Sequence, residues 1–338
     1  MNLGLCFEDI LLRPKYSEIE SRKEINISNN LGQGIDLSLP ILSSPMDTVT
    51  ETSMALSMQK AGGLGVIHRY NTIDHQCSLV RKSLPDLYTV AAAVGTQGDY
   101  LERSQELINS GAEVICIDVA HGHHILVKKA LQTLTRSLPS GIHIMAGNVA
   151  TSKAFYDLSS WGAHSIKVGI GGGSICSTRI QTGHGMPTFQ SILECKKASY
   201  KTGTKLIADG GVKNSGDIVK ALASGADFVM LGSLLSGTEQ SPGKVITTPS
   251  GKQKIYRGMA SSEAQRDWKG SVSSQEGIST YVPYKGLVED ILYKLEVGIR
   301  SGFSYSGARN ISELREKVEF IQQTSASAME SSTHILRR

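Results

Sequence analysis

The segment Ser165-Ile-Lys-Val-Gly-Ile-Gly-Gly-Gly-Ser-Ile-Cys176 joins a strand pattern to a reactive side chain. Residues 165–168 form a short, mainly apolar run that is typical of a buried strand. Four glycines follow at positions 169, 171, 172 and 173, and they allow the backbone to adopt positive φ and to approach a ligand. The loop then presents the thiol of Cys176, which indicates a site of nucleophilic catalysis. Most glycine-rich loops are only turns, however, and most intracellular cysteines are inert.

Seven other short runs resemble 165–168, and the eight together predict parallel strands that are buried on both faces. Segments with helical spacing lie between them, including 50–61, 100–110, 152–160 and 214–223. Eight strand–helix units favour an α/β fold, a single (β/α)8 TIM barrel. A doubly wound sheet is the alternative, but no GxGxxG motif opens the first unit. The predicted strands are 41–44, 65–67, 89–94, 114–117, 143–146, 165–168, 205–208 and 227–231.

The barrel domain is predicted to occupy residues 1–325. A polar, Ser- and Gly-rich segment at about 235–284 follows the eighth strand, and loops of this length in a compact domain are usually functional or disordered. We interpret its first half as a hairpin and its second half as a flap. Helical spacing predicts another helix over 312–323, and the Ser-rich end, 326–338, is predicted to be disordered.

Composition excludes several classes of protein. The chain has 338 residues, with 35 Lys and Arg against 31 Asp and Glu, and the net charge of +4 comes without a basic run, so nothing favours nucleic-acid binding. Five widely spaced cysteines without zinc-type spacing indicate the reducing cytosol, and we expect a cytoplasmic protein. The acidic residues Glu8 and Asp9 argue against a signal peptide. No uninterrupted apolar run reaches the length of a transmembrane span.

Two glycine turns follow the last two predicted strands, Asp209-Gly210-Gly211 and Gly232-Ser233. The loops after barrel strands carry active sites, and these two are a common place for a phosphate held by backbone N–H groups. The Asp209 carboxylate cannot bind a phosphate, but it can accept hydrogen bonds from ribose hydroxyls. Simple turn chemistry is the alternative explanation for the glycines.

Thr178 and Glu276 are candidates for an acid–base pair beside Cys176, since thiolate attack on a ring carbon requires proton delivery. A loop hydroxyl and a solvated surface acid are the alternative interpretations. The histidines at 121, 123 and 124 match no zinc motif, and we interpret them as polar rim residues. We interpret Trp161 and Trp268 as packing residues rather than as a platform for ring stacking.

The chain resembles one family along nearly its whole length, the inosine-5′-monophosphate (IMP) dehydrogenase and guanosine-5′-monophosphate (GMP) reductase group. That family has the barrel fold and assembles as homotetramers. The motifs that carry the resemblance are Phe7-Glu-Asp-Ile-Leu-Leu12, Ser44-Pro-Met-Asp-Thr-Val-Thr50, Gly63-Leu-Gly-Val-Ile-His68, Gly169-Ile-Gly-Gly-Gly-Ser-Ile-Cys-Ser-Thr-Arg179, Ala208-Asp-Gly-Gly211, Val229-Met-Leu-Gly-Ser233, Tyr256-Arg-Gly-Met259 and Val282-Pro-Tyr-Lys-Gly286.

The resemblance implies a role for each matching residue. Cys176 would attack C2 of the purine to form a covalent thioimidate, with Thr178 and Glu276 as its catalytic partners, and Asp209 would hold the ribose. The other residues implied in substrate binding are Ser44, Met46, Ser174, Gly210, Gly211, Gly232, Ser233, Tyr256, Gly258, Met259 and Gly277. Those implied near the NADP(H) cofactor are Arg69, Asp118, Ile170, Gly171 and Met259. The segment with Gly171, Gly173, Cys176 and Arg179 resembles the potassium-binding loop of the family.

The resemblance favours the reductase branch. The dehydrogenases carry inserted regulatory domains between early barrel units, and the segment between Tyr70 and Thr89 has no room for them. Their flap also carries an Arg-Tyr pair that activates water, whereas here Arg266 is followed by Asp267. The function expected is therefore NADPH-dependent reduction of GMP to IMP and ammonia, in purine salvage. A compact IMP dehydrogenase and a catalytically silent nucleotide-binding protein are the alternatives. Gly172, Ser177 and Ala260 depart from the usual family pattern.

Overall fold

The fold is a closed barrel of eight parallel strands, and every predicted barrel strand is confirmed. The computed structural model describes residues 3–84, 89–272 and 275–331. The strands pair in chain order, and the eighth closes the barrel on the first through the register Val229 to Ile41. Closure excludes the doubly wound sheet. The barrel strands are β4 (Ile41–Ser43), β5 (Leu64–Ile67), β6 (Ala91–Val94), β7 (Val114–Asp118), β8 (His143–Val149), β9 (Ser165–Val168), β10 (Lys205–Asp209) and β11 (Phe228–Leu231).

Helices surround the barrel, and the side chains of each strand alternate between two apolar layers. On β7, for example, Val114 and Cys116 belong to the barrel interior while Ile115 and Ile117 pack toward the helices. In chain order the helices are α1 (Thr52–Lys60), α2 (Ile73–Ser83), α3 (Tyr100–Asn109), α4 (Ile125–Ser137), α5 (Ser152–Ser160), the short α6 (Thr178–Thr182) beside Cys176, α7 (Thr188–Thr202), α8 (Ser215–Ser224) and α10 (Val288–Tyr305).

A hairpin closes the amino-terminal end of the barrel. Strands β2 (Asn29–Gly32) and β3 (Ile35–Leu37) place Leu31, Ile35 and Leu37 in the same buried cluster as the interior side chains. His143, fully buried at the start of β8, lies under the hairpin turn with Nε2 2.7 Å from Ser165 Oγ. Burial, with a smaller effect of the neighbouring His164, lowers the pKa of His143 to about 3.

The long segment after β11 contains a three-stranded antiparallel sheet and one helix. Strands β12 (Ile246–Thr248), β13 (Gly251–Arg257) and β14 (Ser279–Pro283) form the sheet, and α9 (Ser262–Lys269) lies between the last two. The hairpin expected in the first half of the segment is β12–β13. Residues 273 and 274 of the predicted flap lie outside the described residues.

The C-terminal segment differs from the prediction of one helix over 312–323. Helix α11 (Ile311–Lys317) ends early, and β15 (Phe320–Gln322) pairs antiparallel with β1 (Ile10–Leu12). A pairing partner some 310 residues away in sequence overrides the local helical pattern. Helix α12 (Ser325–Glu330) covers the first part of the segment predicted to be disordered, and residues 332–338 lie outside the described residues. None of the helices described has the length and hydropathy required to span a bilayer.

Candidate active site

A cavity of about 410 Å³ opens at the carboxyl ends of the barrel strands. It is lined by the loops after six strands, by the carboxyl end of a seventh, β8, and by the flap, as expected for an active site in this architecture. Most of the residues predicted for the site line it: Ser44, Met46, Arg69, Asp118, Ile170, Gly171, Gly173, Ser174, Cys176, Thr178, Asp209, Gly210, Gly211, Gly232, Ser233, Tyr256, Gly258, Met259 and Glu276.

Two predicted residues lie beside the cavity rather than on its wall. Gly277 forms an antiparallel bridge with Cys176. Arg179 donates a hydrogen bond to the Met186 carbonyl at 2.9 Å, and its side chain covers Gly171. Arg179 therefore packs under the cysteine loop, and its predicted place in the potassium set stays a prediction.

The glycine after β9 allows the cysteine loop to cross close to β10. Gly169 has φ +144°, and a Cβ atom there would lie 2.0 Å from the Asp209 carbonyl oxygen. A side chain at this position would separate the two strand ends. The close approach brings the loop that carries Cys176 over the loop that carries Asp209.

A chain of hydrogen bonds connects the thiol to the flap. The Cys176 thiol donates to Thr178 Oγ1 at 3.1 Å, and Thr178 Oγ1 donates to Glu276 Oε2 at 2.8 Å. Backbone bonds hold the flap in place, because Ser177 N donates to the Glu276 carbonyl at 3.0 Å. The thiol, a hydroxyl and a carboxylate are thus arranged so that a proton can move between the thiol and the carboxylate through one hydroxyl.

A buried lysine joins the two carboxylates at the base of the cavity, and it is not among the residues predicted for the site. Lys167 is 1% exposed, contacts Asp118 Oδ1, and lies 3.7 Å from Asp209 Oδ2. Burial acts to lower the pKa of Lys167, but the two carboxylates outweigh it and hold the pKa above its usual value. A lysine within an otherwise apolar strand run is the signal that would have revealed it, because buried lysines are nearly always paired.

Asp209 is held by a second residue that is not among those predicted for the site. Asn148 Nδ2 donates to Asp209 Oδ2 at 2.8 Å and to the Gly169 carbonyl at 2.9 Å. Burial raises the pKa of Asp209, while Lys167 and Asn148 act in the opposite direction. The carboxylate is therefore oriented before any ligand arrives. Asn148 follows the predicted strand 143–146, and this position at a strand end is the signal that points to it.

The region predicted for a phosphate lies beside a buried tyrosine. A Cβ atom on Gly232 would lie 3.2 Å from Tyr256 Oη, so the glycine admits the phenol to the cavity wall. Burial raises the pKa of Tyr256 to about 12, with a hydrogen bond to Ser174 acting against it, so the phenol is protonated at neutral pH and can donate. Gly210 and Gly211, at φ +93° and +79°, form the adjoining turn.

An aromatic pair forms the opposite rim. Trp268 of α9 stacks on Tyr70 with ring centroids 4.2 Å apart, and the Arg69 guanidinium lies 5.3 Å from both rings. Arg69 also donates to the Asp118 carbonyl at 3.3 Å, and its buried Nε has no partner. Trp268 is thus part of a ring stack at the rim and not simply a core packing residue. Trp161, in contrast, lies 6.0 Å from His123 on the outside of the barrel.

An arginine attaches the flap helix to the barrel. Arg257 at the end of β13 donates two hydrogen bonds to Asp47 Oδ2, at 2.6 and 2.9 Å, and one to Asp267 on α9 at 2.5 Å. The backbone N–H of Asp47 donates to Met259 Sδ at 3.4 Å. The flap is therefore closed over the loop after β4.

The three rim histidines do not form a metal site. Within residues 3–84, 89–272 and 275–331, no group of three or more His, Cys, Asp or Glu side chains is placed to hold a metal ion. His123 Nε2 instead lies 2.8 Å from Asp157 Oδ2, and His124 caps the start of α4 by accepting a hydrogen bond from Leu126 N.

Comparison with known proteins matches residues 4–334 to the IMP dehydrogenase / GMP reductase domain. The chain belongs to the IMP dehydrogenase / GMP reductase family. Members of this family are oxidoreductases of purine metabolism that use nicotinamide cofactors. The resemblance seen in the sequence motifs is thereby confirmed.

Relatives with both activities in this family are similar to the chain. An IMP dehydrogenase from Cryptosporidium parvum is 37% identical, over 98% of this chain and 95% of the relative. A GMP reductase from Leishmania major is 30% identical, over 98% and 96%. A cysteine-to-alanine variant of Trypanosoma brucei GMP reductase, solved in complex with GMP, superposes with a TM-score of 0.93 at 28% identity, over 99% of this chain and 98% of that one. The choice between the two activities therefore falls to the residues of the site.

Proposed function

We propose that the protein is a GMP reductase that converts GMP, NADPH and two protons to IMP, NADP⁺ and ammonium. The observation that carries the proposal is the hydrogen-bonded series Cys176, Thr178 and Glu276. A carboxylate linked to the thiol through a hydroxyl can deliver the proton that a departing amine requires. The flap sequence supports the same branch, because it has no Arg-Tyr pair to activate water.

The first half-reaction uses only groups of this chain. Cys176 passes its proton through Thr178 to Glu276, and the thiolate attacks C2 of the purine. Protonation of the exocyclic amine through the same relay releases ammonia and leaves a thioimidate between C2 and Sγ. Asp209 accepts hydrogen bonds from the ribose, and Tyr256 donates toward the phosphate region.

The second half-reaction requires NADPH, which supplies a hydride to C2 when bound. The C2–Sγ bond then breaks, IMP is released, and the thiolate of Cys176 recovers a proton through Thr178. The rim formed by Arg69, Asp118, Ile170, Gly171 and Met259 fits the nicotinamide end of this cofactor, since Arg69 presents a buried Nε without a partner there. A potassium ion at the carbonyls of the cysteine loop and assembly as a homotetramer belong to the same proposal.

Two assays of the purified protein test the proposal. One follows NADPH absorbance with GMP and measures ammonia, and the other follows NAD reduction with IMP. Loss of absorbance with ammonia release in the first supports the reductase.

Cys176→Ala should abolish turnover while GMP binding persists, and Cys195→Ala, a change at a buried cysteine outside the cavity, should keep turnover. Retained turnover in Cys176→Ala would refute the mechanism.

A compact IMP dehydrogenase is the second candidate, and the identity of 37% to the Cryptosporidium parvum enzyme favours it. It predicts activity in the IMP assay alone. Nucleotide binding with silence in both assays would replace both proposals by a non-catalytic binding protein.

A further inference from the structure

Lys167 lies just behind the cavity wall, between two carboxylates that the cavity exposes. Its side chain is 2% exposed, whereas those of Asp118 and Asp209 are 21% and 20% exposed. Lys167 itself does not line the cavity. The ammonium contacts Asp118 Oδ1 and lies 3.7 Å from Asp209 Oδ2, so it lies between the two. No step of the proposed reaction uses it.

The position of Lys167 is fixed by the barrel. It is the third residue of β9, and its neighbours Ile166 and Val168 are fully buried in the outer layer. Its register partners are Gly147 on β8 and Ile207 on β10. A Cβ atom on Gly147 would lie 2.6 Å from Lys167 Cβ, so this glycine leaves room for the lysine side chain.

The groups that face the ammonium come from every adjacent strand. Asp118 and Cys116 face it from β7, Asp209 from β10, and Asn148 from β8 is hydrogen-bonded to Asp209. Arg69 is the other cation nearby, and it donates to the Asp118 backbone rather than to the carboxylate. Two carboxylates at the base of the cavity thus share one buried ammonium.

We propose that Lys167 is a positioning residue that keeps Asp209 ionised and holds the side chains of Asp118 and Asp209 in place, and thereby couples nucleotide-ribose binding at Asp209 to Asp118 on the cofactor side of the cavity. The inference rests on the proposed function for one point, the assignment of Asp209 to the ribose. An ionised carboxylate accepts hydrogen bonds from two hydroxyls, while a protonated one converts an acceptor into a donor.

Removal of the ammonium therefore has a pH-dependent consequence. Burial and the neighbouring Asp118 carboxylate both raise the pKa of Asp209, and Lys167 acts against them, so loss of the ammonium should raise that pKa further. Nucleotide binding to Lys167→Met should then weaken about tenfold for each pH unit lowered, as linkage requires for one proton. Binding should approach the wild-type value again at alkaline pH.

The experiment measures the Kd of GMP and of IMP by calorimetry at pH 6, 7, 8 and 9. The nucleotide phosphate itself titrates near pH 6, so the readout is the ratio of the variant Kd to the wild-type Kd. The ratio for Lys167→Met should rise from within about threefold at pH 9 to at least tenfold at pH 6. Lys167→Arg, which keeps the charge, should give a ratio nearly independent of pH.

Two further variants separate the inference from a loss of folding. Lys254→Met removes another buried lysine, which donates only to backbone carbonyls outside the cavity. This variant should be less stable to heat, but its ratio of variant Kd to wild-type Kd should not change with pH. Lys167→Met combined with Asp118→Asn removes the cation together with one carboxylate. At pH 6 the Kd ratio of this double variant should be lower than that of Lys167→Met alone.

A ratio for Lys167→Met that is constant from pH 6 to 9 would overturn the inference, as would the same pH dependence in Lys254→Met. Failure of the proposed function has a different signature. A wild-type protein that binds neither nucleotide would refute the proposed substrate, whereas a wild-type protein that binds both without turnover would leave the Lys167 result intact.

Discussion

Replacement of His143 by glutamine is expected to remove the contribution of this buried ring to the acid sensitivity of folding. His143 is fully buried beneath the hairpin at the closed end of the barrel, and its Nδ1 has no hydrogen-bond partner. Burial lowers its pKa from 6.5 to about 3, so the folded protein keeps the ring neutral while the unfolded chain protonates it. Below pH 6.5 the unfolded state therefore binds more protons, and stability falls as the pH falls.

Linkage gives the size of the effect. With pKa values of 6.5 in the unfolded chain and about 3 in the fold, His143 alone should cost about 2 kcal/mol of unfolding free energy between pH 7 and pH 5. The glutamine variant does not titrate, and its amide can reach Ser165 Oγ in place of Nε2. We expect it to be roughly 1–3 kcal/mol less stable at pH 7 because its buried polar atoms fit less well.

Urea unfolding followed by circular dichroism at pH 7, 6 and 5 gives the free energy of unfolding of the wild type and of His143→Gln at each pH. Other titrating groups contribute to both and cancel in the comparison. His184→Gln, a change at an exposed histidine, is the control and should keep the wild-type dependence on pH. Equal losses in wild type and His143→Gln from pH 7 to pH 5 would refute the argument from burial.

Two other changes test the site and its frame. Glu276→Gln should lower kcat by roughly 10²–10³-fold with little change in nucleotide Kd, because it removes the proton acceptor of Thr178. The decrease in kcat is measured by stopped-flow NADPH absorbance. Glu263→Gln, a change at an exposed residue of the same flap, is the control and should leave kcat unchanged. Gly169→Ala should lower the free energy of unfolding, measured in urea, by about 2–3 kcal/mol or more, because its Cβ would overlap the Asp209 carbonyl. Gly34→Ala, where a Cβ would meet open space, is the control. A loss for Gly169→Ala no greater than that for Gly34→Ala would contradict this prediction.

The barrel strands could be predicted because each is buried on both faces. Such strands are short runs of apolar residues bounded by turn residues, and this pattern is local in the sequence. The alternation of strands and helices then leaves few topologies, and a count of eight favours closure. The same reasoning placed the loops after the strands on one rim, where the cavity lies.

The C-terminal segment shows where local patterns fail. Residues 320–322 carry a helical pattern with their neighbours, yet they form a strand because β1 offers backbone groups to pair with. Whether these residues form a helix or a strand depends on a pairing partner at the other end of the chain, so the local sequence alone does not predict it. Lys167 is a similar case, since its role depends on carboxylates from two other strands.

Periodicity and turn residues predict the barrel, and the motifs shared with the family predict the cysteine loop and the residues on the rim, because all of these are local properties of the chain. Which of those residues come into contact depends on the folded chain. Thr178 and Glu276 are 98 residues apart, and they bond because the flap folds back onto the cysteine loop. Lys167 compensates Asp118 and Asp209 only because the closed barrel directs three strands to one point. Hydrogen bonds and charge pairs act over a few ångströms in space, and distances of that kind exist only after the chain has folded.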